Sequence, residues 1–561
     1  MNRSSACGSG AVPSWYNLTP VRRDPEQLAK RSFDLLVVGA GIYGATVAWD
    51  AALRGLSVAL IDRGDFGAAT SANSLKTVHG GLRSLQRGNL REMRSFIRDR
   101  RALLRIAPHL VEPIAFAIPT FRRPFSHPWT MRAAFLLNDL AAVDRNRGLD
   151  PARGIAAGRV VSRSDYLTCQ PGVDPAGVIG GAIWSDAQMF SSDRLLLAFV
   201  QSAVDRGAVA LNYVEALSLN RTAQRVHGAA ARDRLSGRSY NIEARVVVYA
   251  AGAWAQALSA TAVDGGHRPP VRFAKALNLV TRLPAPCLAL GASHEGRFYF
   301  RVPWRGVSLF GTSQDPFDHR PEDLRVDRDD VERLLTHINA AFPGVSVGVD
   351  DVTLVHRGLL PSAGQSDDEV LLAKKSLVWD HRQQGVEGLI TVVGVRYTTA
   401  RDTASGVVDV VYRRLGLDPP PCQTASTPLA GGDVGSMDEL LAKAEADRPS
   451  GLPRPTLERL VRAYGTRYRA VLQRVERDPD LARPLAPASG VTAAEIVHAV
   501  EDEMAVTLAD ALVRRTEAGA AAWPGESAVA AAAAIMASRL GWNEERRARE
   551  VDDLRAVYAF G

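Results

Sequence analysis

Continuous apolar runs alternate with a helical pattern near the start of the chain. The run at residues 34–38 (DLLVV) leads into a glycine-rich loop, a helical pattern extends to about Arg54, and a second run fills residues 57–62 (SVALID). Strands that are apolar throughout are typical of a parallel sheet covered on both faces. The order of these segments therefore predicts a β-α-β unit of about thirty residues.

Later patterns predict further strands before the chain becomes wholly helical. A helix rich in arginine is predicted at residues 90–107, and another helix begins near Thr399. Strands are predicted at 209–214, 245–250 and 389–393, with a hairpin at 298–311 that turns near Arg305 and Gly306.

Beyond the prolines at 419–421 the pattern predicts helices only. Thr492 and Glu495 have the spacing of a capping box, and Gly519 can end the helix that they begin. Two more helices are predicted, one ending at Gly541 and one at residues 544–558. The first of these helices is predicted to be continuous because apolar residues recur at every fourth position: Ile496, Val500, Met504, Leu508 and Leu512.

The first loop carries a dinucleotide-binding pattern. Gly39, Gly41 and Gly44 follow the first strand in a G-x-G-x-x-G array, and Asp62 ends the second strand. Glycines allow the backbone to turn tightly and to approach a pyrophosphate, which the N-terminus of the next helix attracts. The carboxylate can accept hydrogen bonds from a ribose, so the unit predicts binding of a dinucleotide.

Two distant returns favour FAD over NAD. The strand at 245–250 runs into Ala251 and Gly252, and the strand at 389–393 runs into Gly394. Each crossing could place backbone N–H groups beside a long cofactor. A sheet that begins at residue 34 and returns near 390 must also contain an inserted second domain.

Composition and charge limit the remaining classes. Lys and Arg total 68 against 61 Asp and Glu, and this charge of +7 is interpreted as a solvated surface, although an anionic substrate or an acidic membrane would also suit it. The cysteines at 7, 169, 287 and 422 form no C-x-x-C pair, so no metal ligands are predicted and a reducing cytoplasm is favoured. No apolar run is long enough to cross a membrane, so any membrane contact would be peripheral. Nucleic-acid binding has no supporting motif.

The loop after Asp62 resembles a known family. Asp65-Phe66, Thr70-Ser71, Ser74, Lys76 and the His79–Arg83 segment (HGGLR) are similar to the flavin-side segment of the FAD-dependent glycerol-3-phosphate dehydrogenases, which are D-amino-acid-oxidase-like flavoenzymes. The stretches 100–113, 302–313 and 495–516 resemble the same family, so the likeness covers about residues 32–560. It implies an FAD-binding domain, a sheet-based substrate cap, and oxidation of a secondary alcohol with electrons passed to a quinone at the membrane.

The chain departs from the family in the segments that hold substrate. Leu360 stands where the family has the Arg of a G-x-R-P strand, and Arg357 is predicted to point to the other face of that strand. Three further departures are Ser84 for a Tyr after HGGLR, Gln314 for an acid, and Gly394-Val395-Arg396 for Gly-Gly-Lys. The family's Lys-Gly-Ser-His reads Lys275-Ala276-Leu277-Asn278. These changes suggest a subgroup with a shifted substrate.

The resemblance and the motifs together define the predicted site. His79 could take the hydroxyl proton or only pack against the cofactor, and Arg83 could bind an anion or pair with a surface acid. The positive charge of Arg396 would stabilise reduced flavin. The predicted catalytic residues are His79, Arg83 and Arg396, and the predicted substrate-binding residues are Lys275, His356 and Arg357. The predicted FAD-binding residues are Gly39, Gly41, Gly44, Asp62, Thr70, Ser71, Ser74, Gly80, Gly81, Leu82, Ala251, Gly252, Gly394, Thr398 and Thr399.

The predicted fold class is α/β: a Rossmann-like FAD-binding domain with an inserted mixed-sheet substrate domain, plus a C-terminal helical domain. Its bounds are a polar tail at 1–31, an FAD-binding part with the start of the cap at 32–260, the cap at 261–350, an FAD-binding return at 351–420 and helices at 434–561. The expected activity is oxidation of sn-glycerol 3-phosphate to dihydroxyacetone phosphate by a cytoplasmic enzyme, peripheral on the inner face of the cell membrane. Two alternatives stay open: an enzyme for another hydroxy or amino substrate, and a flavin-binding scaffold whose site has decayed.

Overall fold

The computed structural model describes residues 21–85, 88–170, 173–257, 271–365, 370–487 and 489–560. Of the predicted tail at 1–31, residues 1–20 lie outside this range, as do residues 258–270 at the predicted start of the cap. Inside it, residues 27–30 of the predicted tail form a short helix.

Strands are distributed along the chain up to residue 393. In order they are β1 Phe33–Val38, β2 Val58–Ile61, β3 Thr77–Val78, β4 Val111–Thr120, β5 Arg159–Ser162, β6 Gly180–Met189, β7 Val209–Leu211, β8 Val214–Thr222, β9 Arg225–Asp233, β10 Ser239–Tyr249, β11 Arg272–Pro284, β12 Ala289–His294, β13 Arg297–Trp304, β14 Val307–Gly311, β15 Asp315–Phe317, β16 Val352–Gln365, β17 Val370–Leu372, β18 Leu377–Asp380 and β19 Leu389–Val393.

Helices lie between the strands and fill the C-terminal region. In order they are α1 Gln27–Lys30, α2 Ile42–Leu53, α3 Leu82–Leu85, α4 Leu90–Ile106, α5 Pro128–Ala141, α6 Arg163–Cys169, α7 Ser192–Val204, α8 Arg328–Ala341, α9 Ala400–Leu415, α10 Met437–Ala446, α11 Arg454–Tyr464, α12 Tyr468–Arg477, α13 Ala493–Asp502, α14 Glu526–Leu540 and α15 Glu544–Tyr558.

The first sheet has the predicted parallel core. Its order is β18-β19-β10-β1-β2-β7, and neighbouring strands from β19 to β7 run parallel. Leu36 pairs with both Val247 of β10 and Ala59 of β2, so the first apolar run lies at the centre of the sheet. The two late strands return to this sheet as the sequence predicted, β10 beside β1 and β19 beside β10.

The second sheet is mixed and larger. Its order is β17-β16-β11-β14-β13-β12-β4-β6-β3, with β15 beside β11 and β5 beside β6. These strands come from residues 77–189 as well as 272–372, and β16 runs through this sheet from residue 352. The predicted boundary at residue 351 therefore does not coincide with a change of sheet.

The predicted helix from residue 492 to Gly519 is broken, which corrects that prediction. The capping box of Thr492 and Glu495 is present, but α13 ends at Asp502 and a π-helical turn occupies Asp510–Arg515. Glu503 turns inward to Arg194, with Nη1 at 2.7 and 2.6 Å from its carboxylate oxygens, and Met504 has φ +56°. A buried ion pair has overridden the apolar period here, because an unpaired buried carboxylate would be costly.

Other local predictions are confirmed. The hairpin β13–β14 turns at Arg305 and Gly306, both with positive φ, and Gly541 ends α14 in the left-handed conformation.

Helix α4 is not a uniform basic surface, because Arg94 and Arg101 both bind Asp144 and Arg100 is buried. Arg91, Arg98 and Arg105 remain exposed.

Candidate active site

The glycine loop between β1 and α2 is closed by backbone contacts. A Cβ on Gly44 would lie 1.8 Å from the carbonyl oxygen of Gly39, and a Cβ on Gly39 would lie 2.7 Å from that of Ala250. Gly39 also has φ +101°, which only glycine adopts easily. The loop is therefore held between α2 and β10 with bare backbone at the N-terminus of the helix.

Asp62 and Ser71 hold this loop from its two sides. The carboxylate of Asp62 accepts from Ala40 N at 2.6 Å and from Gly64 N at 2.9 Å, and burial raises its pKa to about 6. Ser71 Oγ accepts from Ile42 N at 3.0 Å and would lie 3.2 Å from a Cβ on Gly41. Carboxylate, hydroxyl and helix N-terminus thus lie together, as binding of a dinucleotide requires.

The loop at 70–76 packs against the face of β16 that carries His356, Gly358 and Leu360, here called the inner face. Thr70 Oγ1 bonds the backbone of Leu359, and the carbonyl of Ser74 lies 3.2 Å from Nδ1 of His356. Ser74 Oγ accepts from the backbone N of Lys76 at 3.2 Å. Burial holds the pKa of His356 well below its usual range, and the Lys76 ammonium lowers it further. His356 therefore supports the loop as a neutral ring.

The two distant returns end beside the glycine loop and α2. Gly252 has φ +55° with open space where a Cβ would lie, and Ala251 precedes it as a half-buried residue. A Cβ on Gly394 would lie 1.9 Å from the ring of Tyr43. The Tyr43 hydroxyl donates to the carbonyl of Arg396 at 2.8 Å and lies 3.2 Å from the backbone N of Val395 and of Arg396. Tyr43 therefore joins α2 to the second return.

His79 faces a buried carboxylate that the sequence analysis missed. Asp186 Oδ1 accepts from Gly80 N at 2.7 Å and from Arg100 Nη1 at 2.6 Å, and Oδ2 lies 3.6 Å from Nδ1 of His79. Burial alone would raise the pKa of Asp186, but the contacts with His79 and Arg100 outweigh it, and the pKa is lowered. The carboxylate is therefore ionised, and the half-exposed His79 ring presents Nε2 away from it.

The glycines after His79 allow a close approach of helices. A Cβ on Gly80 would lie 2.0 Å from Arg100 Nη1, and one on Gly81 would lie 2.9 Å from Cβ of Phe96. Leu82 packs against Met131 and Phe135 of α5. The HGGLR segment is thus sandwiched between α4 and α5, and Arg83 in α3 is exposed.

Arg396 and two threonines lie at the second return. Thr398 Oγ1 accepts from His79 N at 3.2 Å, which joins this return to the HGGLR segment. Thr399 precedes the first residue of α9 and is half-buried. Arg396 Nη1 lies 3.2 Å from Glu92 Oε1 and 2.7 Å from the carbonyl of Lys374. Of the predicted catalytic residues, the structure therefore brings His79 and Arg396 to one wall.

Strand β16 separates the predicted substrate residues onto two faces. In the register between β11 and β16, Arg357 lies opposite Leu277, and Leu359 lies opposite Lys275. The side chains of Arg357 and Lys275 therefore lie on the same face of the sheet. Lys275 Nζ lies 2.6 Å from Asp330 of α8, which covers that face. His356, Gly358 and Leu360 occupy the opposite face, where Thr70 would meet a Cβ on Gly358. The geometry gives no support to a substrate role for Lys275 and Arg357.

Comparison with known proteins assigns the family. Residues 34–397 match the family described as FAD dependent oxidoreductase, and residues 422–547 match the C-terminal domain of alpha-glycerophosphate oxidase. The chain belongs to the FAD-dependent oxidoreductase family. It is an FAD-dependent oxidoreductase, and its cofactor is FAD.

The similarity to individual proteins extends over nearly the whole chain. A protein of Synechocystis sp. named glycerol-3-phosphate dehydrogenase is 29% identical over 548 residues, covering 95% of this chain and 97% of that one. The aerobic glycerol-3-phosphate dehydrogenase of Bacillus subtilis is 28% identical, with coverage of 87% and 88%. The solved glycerol-3-phosphate dehydrogenase of Bacillus halodurans, complexed with FAD, gives a TM-score of 0.72 at 26% identity, with 95% of each chain covered.

The oxidoreductase's own residues fit FAD. The bare backbone at Gly39 and Gly41 suits the pyrophosphate, and the Asp62 carboxylate suits a ribose hydroxyl. Gly252 has open space at its Cβ position, and Gly394 packs against the Tyr43 ring of α2. Among the described residues, no helix has the length and apolar character needed to cross a bilayer.

Proposed function

We propose that this oxidoreductase oxidises sn-glycerol 3-phosphate to dihydroxyacetone phosphate and passes the electrons to a quinone-type acceptor. The observation that carries the proposal is the full-length similarity to proteins named glycerol-3-phosphate dehydrogenase. It is supported by the HGGLR segment, whose His79 lies 3.6 Å from the Asp186 carboxylate. The ionised Asp186 beside His79 argues against a scaffold with a decayed site.

The chain's own residues supply the proton chemistry. Bound FAD supplies the acceptor for two electrons. His79 Nε2 is the atom that would take the hydroxyl proton, because Nδ1 faces Asp186 at 3.6 Å. Gly80 N and Arg100 hold Asp186 in place, so the ring orientation is fixed by a buried network.

Anaerobic stopped-flow reduction of the flavin tests the activity. The panel contains glycerol 3-phosphate, glycerol, lactate, glycine and proline, which separate phosphorylated, neutral, hydroxy-acid and amino substrates. Reduction by glycerol 3-phosphate above all others is expected. Reduction by a non-phosphorylated compound alone would replace the proposed substrate, and bleaching by no compound on a broad extension of the panel would favour the scaffold.

A second candidate substrate class is favoured by one face of the cap. Leu360 is apolar on the inner face of β16, and the nearby cation Lys275 is on the other face with Asp330. A non-phosphorylated hydroxy or amino compound would therefore lose less binding free energy at this apolar face than a phosphorylated compound would. The same panel decides between the two classes.

We further propose that α5 and the turn before it contact the membrane. Met131 and Phe135 pack inward against Leu82, so the helix covers the flavin-side segment. Large apolar side chains are exposed on the helix, in the turn before it and just after it, by the fractions given: Phe125 90%, Trp129 70%, Leu136 63%, Leu137 54%, Leu140 67% and Val143 85%.

Charge favours an anionic bilayer as the partner of this face. Arg122, Arg123 and Arg132 are exposed beside it, and the Arg132 guanidinium lies 4.9 Å from the Trp129 ring centroid. The acid of α5, Asp139, is held by Arg145 at 2.8 Å. An apolar face bordered by cations is the pattern of a helix that lies in the membrane interface. A quinone dissolved in that bilayer would approach the protein on the flavin side.

Vesicle flotation tests the membrane contact. Wild type is expected to float with phosphatidylglycerol vesicles, less with phosphatidylcholine vesicles, and Leu136→Asp with Leu140→Asp should abolish flotation. Those substitutions should slow turnover with a membrane quinone but not with a soluble dye. Leu417→Ser, at a residue 48% exposed beyond the end of α9, is the matched control. Undiminished flotation of the double variant would assign the contact to another surface.

A further inference from the structure

Glu92 bridges two residues at which the chain departs from the family pattern. It lies in the first turn of α4, where its Oε1 accepts from Arg396 Nη1 at 3.2 Å. Its Oε2 accepts from the Ser84 hydroxyl at 3.0 Å. Ser84 replaces a family Tyr and Arg396 replaces a family Lys, so both changes meet at one carboxylate.

The Arg396 side chain is held by three contacts, of which Glu92 is one. Its guanidinium also donates to the carbonyl of Lys374 at 2.7 Å and lies 5.1 Å from the ring centroid of Phe96. Side-chain exposure is 31% for Arg396 and 18% for Glu92. A pair this shielded interacts more strongly than two charges in open water. The cation is therefore fixed over α4 rather than free to swing towards a ligand.

The network belongs to the wall that carries His79. The backbone of Arg396 bonds the Tyr43 hydroxyl, and Thr398, two residues on, accepts from His79 N. Phe96, on which Arg396 stacks, contacts Gly81 of the HGGLR segment. Glu92 thus acts on a charge in the flavin-side wall, without itself being part of the predicted proton chemistry.

We propose that Glu92 is a positioning residue that sets substrate specificity by cancelling the charge of Arg396. The inference rests on the proposed function for the identity of the site. With its charge cancelled, Arg396 offers an anionic substrate group no free cation, and Leu360 on β16 offers none either. The site therefore selects less strongly for a phosphorylated alcohol than a site with a free cation would.

The substitution Glu92→Gln in the FAD-loaded protein tests the proposal. Inorganic phosphate is titrated against the flavin absorbance, and the flavin midpoint potential is measured with reference dyes. We expect the Kd for phosphate to fall at least about fivefold, as for removal of one nearby negative charge, and the potential to become more positive. Unchanged values in a protein with full FAD content would overturn the proposal.

Two further variants separate a charge effect from a structural one. Glu112→Gln removes another half-buried carboxylate, one that binds Arg462 away from this wall, and should change neither quantity. In an Arg396→Gln background, Glu92→Gln should change both quantities clearly less than in wild type, because no guanidinium remains there to be released for contact with the anion. An equal effect in both backgrounds would show that Glu92 acts otherwise.

The two proposals fail independently. If glycerol 3-phosphate reduces neither wild type nor Glu92→Gln, the proposed substrate is wrong, while the phosphate and potential measurements still test Glu92. If glycerol 3-phosphate reduces both, the ratio of kcat/KM for glycerol 3-phosphate to that for glycerol should rise in Glu92→Gln. A ratio that falls or stays constant would contradict the specificity role.

Discussion

At the scale of single residues, one carboxylate organises the proposed proton acceptor. Asp186 is only 4% exposed and faces His79. Its carboxylate accepts hydrogen bonds from Gly80 N, Arg100 and the Trp184 indole N–H. A buried charge needs such partners, and here the partners are themselves parts of the site wall. The same contacts that stabilise Asp186 therefore fix the orientation of His79.

We predict that His79→Asn slows flavin reduction by about 10²-fold or more, the usual contribution of a positioned base. Asp186→Asn should slow it by about tenfold, because the amide leaves the ring less well oriented and removes a charge. Stopped-flow rates at saturating substrate measure both. Asp144→Asn, whose carboxylate binds Arg94 and Arg101 on another side of α4, is the control. Wild-type rates in His79→Asn would remove His79 from the reaction.

A second residue-scale prediction concerns Leu360. It lies opposite Ala274 on the inner face of β16, where the family pattern has an Arg. Leu360→Arg should lower the half-saturation concentration for glycerol 3-phosphate by about tenfold, since a charge-assisted contact contributes roughly 1.5–3 kcal/mol. Leu371→Arg, on the neighbouring β17 and 59% exposed, should not. Weaker binding by Leu360→Arg would mean that the phosphate is held elsewhere.

At the scale of elements, the β1–α2 unit depends on glycine at one contact above all. Gly44 lies inside α2, yet a Cβ there would meet the Gly39 carbonyl oxygen. The backbone of the glycine loop and the first turn of α2 therefore touch directly. Such a contact has no flexible side chain that could move aside.

We predict that Gly44→Ala yields protein with little bound FAD, because the loop must open to admit the methyl group. Absorbance of the purified protein at the flavin band, before and after incubation with FAD, measures this. Gly406→Ala is the matched control: Gly406 lies in α9 with no atom near its Cβ position. There alanine should stabilise the helix by up to about 1 kcal/mol. Full flavin content in Gly44→Ala would show that the loop tolerates the shift.

Local periodicity predicted the elements whose partners are near in sequence. The strand–loop–helix from Phe33 to Leu53 and the helix at 544–558 match because burial and capping there follow from adjacent residues. The break after α13 could not be predicted, since the reason for it, Arg194, lies 309 residues before Glu503. The apolar residues at every fourth position were real, but a buried charge decided the backbone.

The same limit applies to the site. The positions of the glycines and Asp62 beside one loop could be predicted because one contiguous motif carries them, and the role of His79 stays a prediction from motif position. Asp186 and Glu92 have no local signal, because each acts through a contact made only in the folded chain. The faces of β16 follow from strand alternation only once its register with β11 is known, and the contact between Lys275 and Asp330 has no signal in the motif.

At the scale of the whole molecule, buried charges join the C-terminal helices to the FAD-binding part. The carboxylate of Asp65, in the loop after β2, accepts hydrogen bonds from Arg514 Nε and from two nitrogens of Arg515, each at 2.7 Å. Arg194 of α7 binds Glu503 at the broken helix. Breaking a buried pair of this kind is costly, so the helical region is a structural part of the cofactor domain.

His109 lies at the same junction and makes it sensitive to acid. Its ring is 2% exposed against Gly431 and Gly465, and within the described residues its Nδ1 has no hydrogen-bond partner. Burial, together with the nearby charges of Arg194 and Arg153, lowers the pKa of His109 from 6.5 to about 3. The folded state therefore keeps this ring neutral where the unfolded chain would protonate it.

The sign of the pH dependence follows from that lowered pKa. Above pH 6.5 the neutral ring has no pH-dependent cost, and below it the unfolded state gains protonation free energy of about 1.4 kcal/mol per pH unit. Between pH 7.5 and pH 4.5 wild type should lose about 2.7 kcal/mol more unfolding free energy than His109→Gln. Urea unfolding at the two pH values measures this, with the exposed His319→Gln as control. Parallel losses in wild type and His109→Gln would mean that the folded protein protonates His109, and that the junction opens to water before the chain unfolds.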